Sequence, residues 1–202
     1  MLEAIDLAAR RGAVLLFQRL RLRVDAGRAL LVTGRNGSGK TTLLRVLAGL
    51  TLPAEGRVTW DGGPVSRHAM HAQCVFAGHL PALKDELTVE ENLGSLAELA
   101  GAQPSPQLLG EAIARVDLTA QRDLPARVLS AGQRRRVGLA RLALLPRALW
   151  LLDEPATALD AAGLWLLAQL VAQRLREGGM VIVATHQPLE LPADRTDSLA
   201  MA

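Results

Sequence analysis

The sequence predicts an α/β fold whose core is interrupted by a helical segment, and three observations lead to that prediction. First, a continuously apolar strand at 29–33 leads through a glycine-rich loop into a helix with apolar residues every three or four positions. Second, the last third of the chain again alternates apolar strands with a helix. Third, the region 88–145 has helical periodicity. Alternating strands and helices are typical of α/β folds with buried parallel strands.

The predicted elements follow from local patterns in chain order. Strands are expected at 21–24, 29–33, 57–60, 148–152 and 181–185, and helices at 41–50, 89–100, 107–116, 133–145 and 162–177. Turn residues follow the first and third strands, at 25–27 and 61–63. A length of 202 residues suits one α/β domain or two small interlocked lobes. We expect a core of about 1–87 and 146–202, with the helical insertion at about 88–145.

Composition excludes several classes of protein. Half the residues are apolar, which argues against disorder, and the single cysteine, Cys74, rules out an internal disulfide. The net charge is +3, but no long block of like charge is present, so a solvated arginine-rich surface is favoured over a nucleic-acid partner. No run of about 18 uncharged apolar residues is present, so we expect any membrane contact to be made through partners.

The glycine-rich loop after 29–33 matches the pattern G-x-x-x-x-G-K-[ST]. This phosphate loop consists of Gly34, Arg35, Asn36, Gly37, Ser38, Gly39, Lys40 and Thr41, and Thr42 follows it in the helix. Its glycines allow backbone N–H groups to surround a phosphate, and the helix N-terminus adds positive potential. We expect Lys40 to reach the β- and γ-phosphate oxygens and Thr41 to offer a hydroxyl to Mg²⁺. The alternative is a glycine turn that matches by chance.

Two acids, Asp153 and Glu154, end the apolar strand at 148–152. The carboxyl ends of buried parallel strands open onto the crevice where ligands bind in open α/β sheets. We expect Asp153 to hold Mg²⁺ through water and Glu154 to orient and deprotonate the attacking water. A strand followed by an acidic turn would explain this segment alone, but it becomes the weaker interpretation once a phosphate loop is present.

The segment Leu129-Ser-Ala-Gly-Gln133 resembles the LSGGQ signature of the ATP-binding cassette (ABC) ATPases. Residues 157–160 resemble the D-loop of that family, and His186 resembles its switch histidine. With the loop and the acids, these motifs occur in family order along nearly the whole chain. The resemblance implies a P-loop NTPase fold: a single ABC-type nucleotide-binding domain over 1–202 with a RecA-like core, an N-terminal antiparallel β subdomain and an inserted helical subdomain.

The same resemblance implies ATP and Mg²⁺ as ligands and an ATP-dependent homodimer with two ATP molecules between its halves. His186 would contact the γ-phosphate within one copy. The signature and D-loop residues would contact the ATP that is bound to the other copy. They are Ser130, Ala131, Gly132, Gln133 and Asp160. Ser130 and the following helix amides suit an anion site.

Two positions depart from the family pattern. An aromatic residue usually stacks on adenine, and the corresponding position here is Arg11, whose guanidinium plane can also stack on a base. A glutamine usually contacts Mg²⁺ and the attacking water, and His79 takes that place, which would add pH sensitivity. We therefore include Arg11 among the nucleotide-binding residues and His79 among the catalytic ones.

Three segments resemble the CcmA family, the ATP-binding subunits of the heme-export step in bacterial cytochrome c maturation. They are 78–93, the LSAGQRRRV run that starts at Leu129, and Thr185-His-Gln-Pro188. The resemblance implies a peripheral protein on the cytoplasmic face of the bacterial inner membrane. Its partners would be a CcmB-type membrane subunit and CcmC- and CcmD-type heme-handling proteins. An ABC motor for another substrate and a soluble non-transport ABC ATPase stay open.

Three further features receive ordinary structural interpretations. His68, His71 and Cys74 have metal-like spacing but lack further ligands, so we expect a loop with incidental histidines. Arg134, Arg135 and Arg136 are expected to form a solvated or interface-facing stripe on a helix, and Trp165 is expected to pack in the core.

Overall fold

The computed structural model describes residues 1–145 and 147–201, which form two compact units. The first unit comprises Met1–Phe76, Arg147–Glu154 and Val171–Ala202, and the second comprises Ala77–Pro146 and Pro155–Leu170. The predicted helical insertion, 88–145, falls within the second unit, and its limits as a subdomain stay a prediction.

The described elements alternate as an α/β protein. The strands are β1 Leu2–Arg11, β2 Val14–Val24, β3 Ala29–Gly34, β4 Glu55–Trp60, β5 Gly63–Pro64, β6 Cys74–Ala77, β7 Leu149–Asp153, β8 Met180–Ala184 and β9 Thr196–Met201. The helices are α1 Lys40–Leu47, α2 Arg67–Gln73, α3 Val89–Leu99, α4 Pro106–Arg115, α5 Ala131–Leu144 and α6 Ala161–Arg176. Every predicted strand and helix is present, with ends shifted by a few residues. The largest shifts are at α1, which ends at Leu47 rather than at residue 50, and at β2, which begins seven residues before residue 21.

A five-stranded sheet with the order β6-β7-β8-β3-β9 carries the residues of chemical interest. Its pairings of β7 with β8, β8 with β3 and β3 with β9 are parallel. Asp153 on β7 and Val32 on β3 are both in register with Ala184 on β8. The carboxyl ends of β3, β7 and β8 therefore lie at the same end of the sheet. The phosphate loop, the two acids and His186 are located at this end.

A four-stranded antiparallel sheet, β2-β1-β4-β5, accounts for the predicted N-terminal β subdomain. Both sheets and α1 contribute to one apolar core within the first unit. Leu43, Leu44 and Leu47 on α1 are fully buried there, so burial fixes the helix that follows the phosphate loop.

The second unit has a helical core made by α3, α4 and α5. Leu93, Ile113 and Leu142, one from each helix, are buried. Thr88 caps α3 through a capping box with Glu91, and Ser105 caps α4, with Pro106 in the first turn. These caps explain why both helices begin where the sequence predicts them.

Three predictions about side chains and loops are wrong. Trp165 is 66% exposed, because it lies on the outer face of α6 while Leu167 and Leu170 point inward. Arg135 is buried and bonded to carbonyl oxygens of its own unit, in contrast to the solvated or interface-facing stripe predicted for 134–136. His68 and His71 lie on α2, which Ser66 caps, instead of in a loop.

Candidate nucleotide-binding site

The phosphate loop adopts a backbone shape that depends on glycine. Gly39 has a φ of +97°, and a Cβ placed on it would lie 3.1 Å from Cδ1 of Phe17 on β2. Gly39 is also the N-cap of α1 and offers no side-chain cap, so the first N–H groups of α1 are not satisfied by a capping side chain. These donors and the helix dipole suit an anion.

Lys40 closes the loop on itself. Its side chain is largely buried, and its Nζ donates to the carbonyl oxygens of Gly34 at 2.8 Å and Arg35 at 3.1 Å. Beside it, the hydroxyl of Ser38 is buried and has no hydrogen-bond partner within residues 1–145 and 147–201. A buried hydroxyl without a partner is unfavourable unless a ligand satisfies it, so the loop fits a group with several acceptor oxygens, such as a phosphate.

Thr41 and Asp153 place two kinds of oxygen ligand side by side. The Thr41 hydroxyl donates to the two carboxylate oxygens of Asp153, at 2.9 and 3.1 Å. Mg²⁺ prefers such hard oxygen donors and is usually held by one or two carboxylates together with substrate phosphates. Among the described residues there is no group of three or more His, Cys, Asp and Glu side chains placed to hold a metal. The donor set therefore fits Mg²⁺ shared with a phosphate, and it is too small for a closed protein cage.

Glu154 and His186 form a pair beside these ligands. Nδ1 of His186 lies 2.9 Å from Oε1 of Glu154, and the His186 backbone N–H donates to Oε2 at 3.4 Å. The backbone N–H of Glu154 donates to the carbonyl oxygen of Ala184 at 2.8 Å, which extends the strand pairing beyond β7. Glu154 has a φ of +49°, a left-handed conformation that non-glycine residues seldom adopt and that clusters at functional sites.

The second unit holds the signature segment, Leu129–Gln133, at the N-terminus of α5. Ser130 Oγ accepts from the backbone N–H of Gln133 at 3.2 Å, and Gln133 Oε1 accepts from that of Ser130 at 2.9 Å. Ser130 Oγ acts only as an acceptor in this capping box, so its O–H and the amides of Ala131 and Gly132 at the helix tip suit an anion.

The end of the D-loop lies beside α5 in the same unit. Asp160 accepts from Nη2 of Arg136 at 2.8 Å and from the backbone N–H of Gly163 at 2.8 Å. The Arg136 guanidinium, and then the Gly163 N–H, lower the pKa of Asp160. A cavity of about 680 Å³ opens here, lined in part by Ser130, Gly132 and Asp160. The contact between Arg136 and Asp160 was not predicted from the sequence.

The predicted site residues thus fall into two groups, one in each unit. The first unit brings the phosphate loop together with Asp153, Glu154 and His186, and the second brings the signature segment together with Asp160. Thr42 lies half-buried in the first turn of α1. Arg11 is an exposed residue at the end of β1, paired with Val14 on β2. His79 is an exposed residue of the second unit. The site roles of these residues stay predictions.

Comparison with known proteins identifies the class. The ABC transporter family model matches residues 17–157. The solved structure of an ABC transporter ATP-binding protein from Pyrococcus furiosus aligns with a TM-score of 0.85 and 25% identity, covering 98% of this chain and 96% of that one. The chain belongs to the ABC transporter family of ATP-binding proteins. It is an ABC-type ATPase that binds and hydrolyses ATP, and the family's P-loop fold is confirmed.

Two curated relatives match over almost the whole chain, and both are named "Cytochrome c biogenesis ATP-binding export protein CcmA". The one from Aromatoleum aromaticum is 48% identical over 197 residues, which cover 95% of this chain and 92% of the relative. The one from Pseudomonas aeruginosa is 46% identical over 198 residues, or 97% and 98% of the two chains. The predicted resemblance to the CcmA family is therefore confirmed. No helix in the described part of the chain is long and apolar enough to cross a membrane.

Proposed function

We propose that this chain is the ATP-hydrolysing motor subunit of a membrane ABC complex in c-type cytochrome biogenesis, where it serves heme export or release of the loaded heme chaperone. The observation that carries this proposal is the 46–48% identity, over nearly the full length, to proteins named for cytochrome c biogenesis export. The geometry of the phosphate loop and the acids supports the catalytic part.

In the proposed mechanism the phosphate loop grips the β- and γ-phosphates. Lys40 exchanges its two loop carbonyls for phosphate oxygens, and the Ser38 hydroxyl and first-turn amides of α1 donate to the same groups. Thr41 and Asp153 would hold Mg²⁺, which when bound neutralises charge on the phosphates. Arg11 offers its guanidinium plane to the base.

Glu154 acts as the base in this proposal. Its carboxylate lies where β7 ends, and it orients a water and accepts its proton. His186 orients that carboxylate through its Nδ1, which lies 2.9 Å from Oε1 of Glu154. The other side of the imidazole ring, which carries Nε2, contacts the γ-phosphate. His79 hydrogen-bonds the attacking water in place of the usual glutamine.

The proposed active form is an ATP-dependent homodimer. The tip of α5 in one copy would donate its Ala131 and Gly132 amides to the γ-phosphate held by the other copy, and Asp160 would lie beside it. The capping box uses Ser130 Oγ and Gln133 Oε1 only as acceptors, so we propose that the Ser130 hydroxyl and the Gln133 side-chain amide also donate to that nucleotide.

The proposed partners are a CcmB-type membrane subunit and CcmC- and CcmD-type proteins, which would hold this chain at the cytoplasmic face of the inner membrane. The surface between about Phe76 and Leu93 is the proposed docking surface, and Leu80 is its most exposed large apolar residue at 77%. Leu80→Asp should abolish co-purification with the membrane subunit while ATP hydrolysis persists. Leu99→Asp is the matched control, because Leu99 is 86% exposed at the end of α3, outside that surface.

The test of the cellular role is deletion in the source organism, followed by complementation. We expect loss of covalent heme from c-type cytochromes and normal b-type cytochromes, with rescue by the wild-type gene and no rescue by Glu154→Gln. Normal c-type cytochromes in the deletion strain would refute the role and would point to an ABC motor for another substrate.

A further inference from the structure

Arg135 is a buried arginine in the second unit. It lies on α5, five residues after Ser130, and its exposed fraction is 6%. Two of its neighbours one turn away on either side, Ala131 and Leu139, lie on the same helix face, and Leu139 is buried. A charged side chain at such a position requires specific hydrogen-bond partners.

The partners of Arg135 include three backbone carbonyl oxygens from two other segments. Its Nη1 donates to Gly78 at 3.0 Å and to His79 at 2.8 Å. Its Nε donates to Pro155 at 3.2 Å. Gly78 and His79 belong to the segment that the sequence analysis places near the reacting water, and Pro155 follows the proposed base in the chain. One planar guanidinium therefore ties the signature helix to the segment that contains His79 and to the residue that follows the proposed base.

The segment that follows His79 is held by further contacts. A Cβ on Gly138, one turn after Arg135 on α5, would lie 3.1 Å from Cβ of Pro81, so this helix and the segment pack closely. The buried Asn92 side chain accepts from the backbone N–H of Lys84 at 2.8 Å and donates to the carbonyl oxygens of Lys84 and Leu87 at 3.0 and 2.9 Å. His79 is thus an exposed side chain on a backbone fixed from both sides.

We propose that Arg135 is a positioning residue for ATP hydrolysis: it fixes the backbone at Gly78–His79 to α5, so that the His79 side chain is held at a constant place relative to the signature segment. This inference rests on the proposed function, because it acts through the role proposed for His79. Arg135 itself touches neither nucleotide nor water in this proposal. A lysine cannot replace it fully, since one ammonium group lacks the planar fork that serves two segments at once.

The first experiment compares Arg135→Met and Arg135→Lys in the full chain, purified with its membrane partner. We expect kcat for ATP hydrolysis to fall at least 10-fold in Arg135→Met and by a smaller factor in Arg135→Lys. In both variants KM for ATP should stay within twofold of the wild-type value. Arg134→Met is the matched control: Arg134 is the preceding residue on α5, pairs with Asp85 and should leave kcat within twofold. A purely structural role would instead lower the amount of folded protein and leave the kcat of the folded fraction unchanged.

The second experiment is a double-mutant cycle with His79→Ala. If Arg135 acts through His79, the double variant should have the kcat of the slower single variant, because the second change removes nothing more. Effects that multiply would overturn the inference. If Arg135→Met does not fold, the same cycle is run with Arg135→Lys.

The outcomes separate this inference from the proposed function. Wild-type kcat in both Arg135 variants would overturn the positioning role and leave the ATPase assignment intact. Failure of the wild-type complex to hydrolyse ATP would instead refute the proposed function itself.

Discussion

Replacement of Glu154 by glutamine removes a negative charge and a proton acceptor while keeping the size and shape of the side chain. The Glu154 side chain is only 14% exposed, and its Oε1 lies 2.9 Å from Nδ1 of His186. Since an amide oxygen can accept a hydrogen bond from the same nitrogen, we expect Glu154→Gln to keep the local geometry. The variant should therefore bind ATP with wild-type affinity.

The magnitude follows from the loss of the base alone. General-base catalysis typically contributes a factor of about 10²–10⁴, which corresponds to about 3–5 kcal/mol of transition-state stabilisation. We expect kcat of Glu154→Gln to fall by that factor, with slow dissociation of an ATP-bound dimer. The assay is steady-state phosphate release together with sizing of the protein in the presence of MgATP.

The matched control is Glu177→Gln, the same chemical change at an exposed carboxylate. Glu177 directly follows α6 and pairs with Arg174 on that helix. It should leave kcat within twofold. Turnover by Glu154→Gln within threefold of the wild type would remove Glu154 from the role of base, whatever the control does.

Three smaller predictions concern the loop, the single thiol and the D-loop. An alanine at Gly39 or at Gly37 introduces backbone strain of about 1–2 kcal/mol, because both glycines have a positive φ. Only Gly39→Ala also crowds Phe17, so the Tm of Gly39→Ala in a thermal melt should be several degrees below that of Gly37→Ala. Burial raises the pKa of the Cys74 thiol to about 11, so at pH 8 native protein should react with iodoacetamide about 100-fold more slowly than urea-unfolded protein; equal rates would contradict this. Since the Arg136 guanidinium lowers the pKa of Asp160 below its ordinary value of 3.8, the stabilising effect of this ion pair is present at neutral pH and lost in acid. Asp160→Asn should therefore lower Tm at pH 7, and the difference should shrink progressively as the pH falls below 3.8; a difference that stays constant into strong acid would argue against the ion pair.

The sequence was sufficient for the phosphate loop and the acids because their chemistry is encoded locally. Gly34–Lys40 must follow a strand and begin a helix, and Asp153 must end a buried strand, so spacing alone predicts their meeting at one sheet edge. The parallel register that joins Asp153 and Val32 to Ala184 follows from the same rule.

Other features depend on distant parts of the chain, which local patterns do not encode. Strand β9 reads Thr-Asp-Ser-Leu-Ala-Met and has little strand character, yet it pairs in parallel with β3 at the sheet edge. Arg135 is buried because carbonyls from residues more than fifty positions away and from Pro155 accept its N–H groups. Its spacing from Leu139 and Leu142 on the buried face of α5 was the available signal. Trp165 shows the converse, since an apolar side chain on α6 faces outward.

The central claim is that the phosphate loop, together with Lys40, binds a nucleoside triphosphate with Mg²⁺. Isothermal titration of the purified chain with ATP, with and without Mg²⁺, measures this binding directly. We predict magnesium-dependent binding by the wild type and at least about 100-fold weaker binding by Lys40→Ala. Absence of magnesium-dependent binding by the wild type, even with its membrane partner present, or equal affinity of the two proteins would contradict the claim.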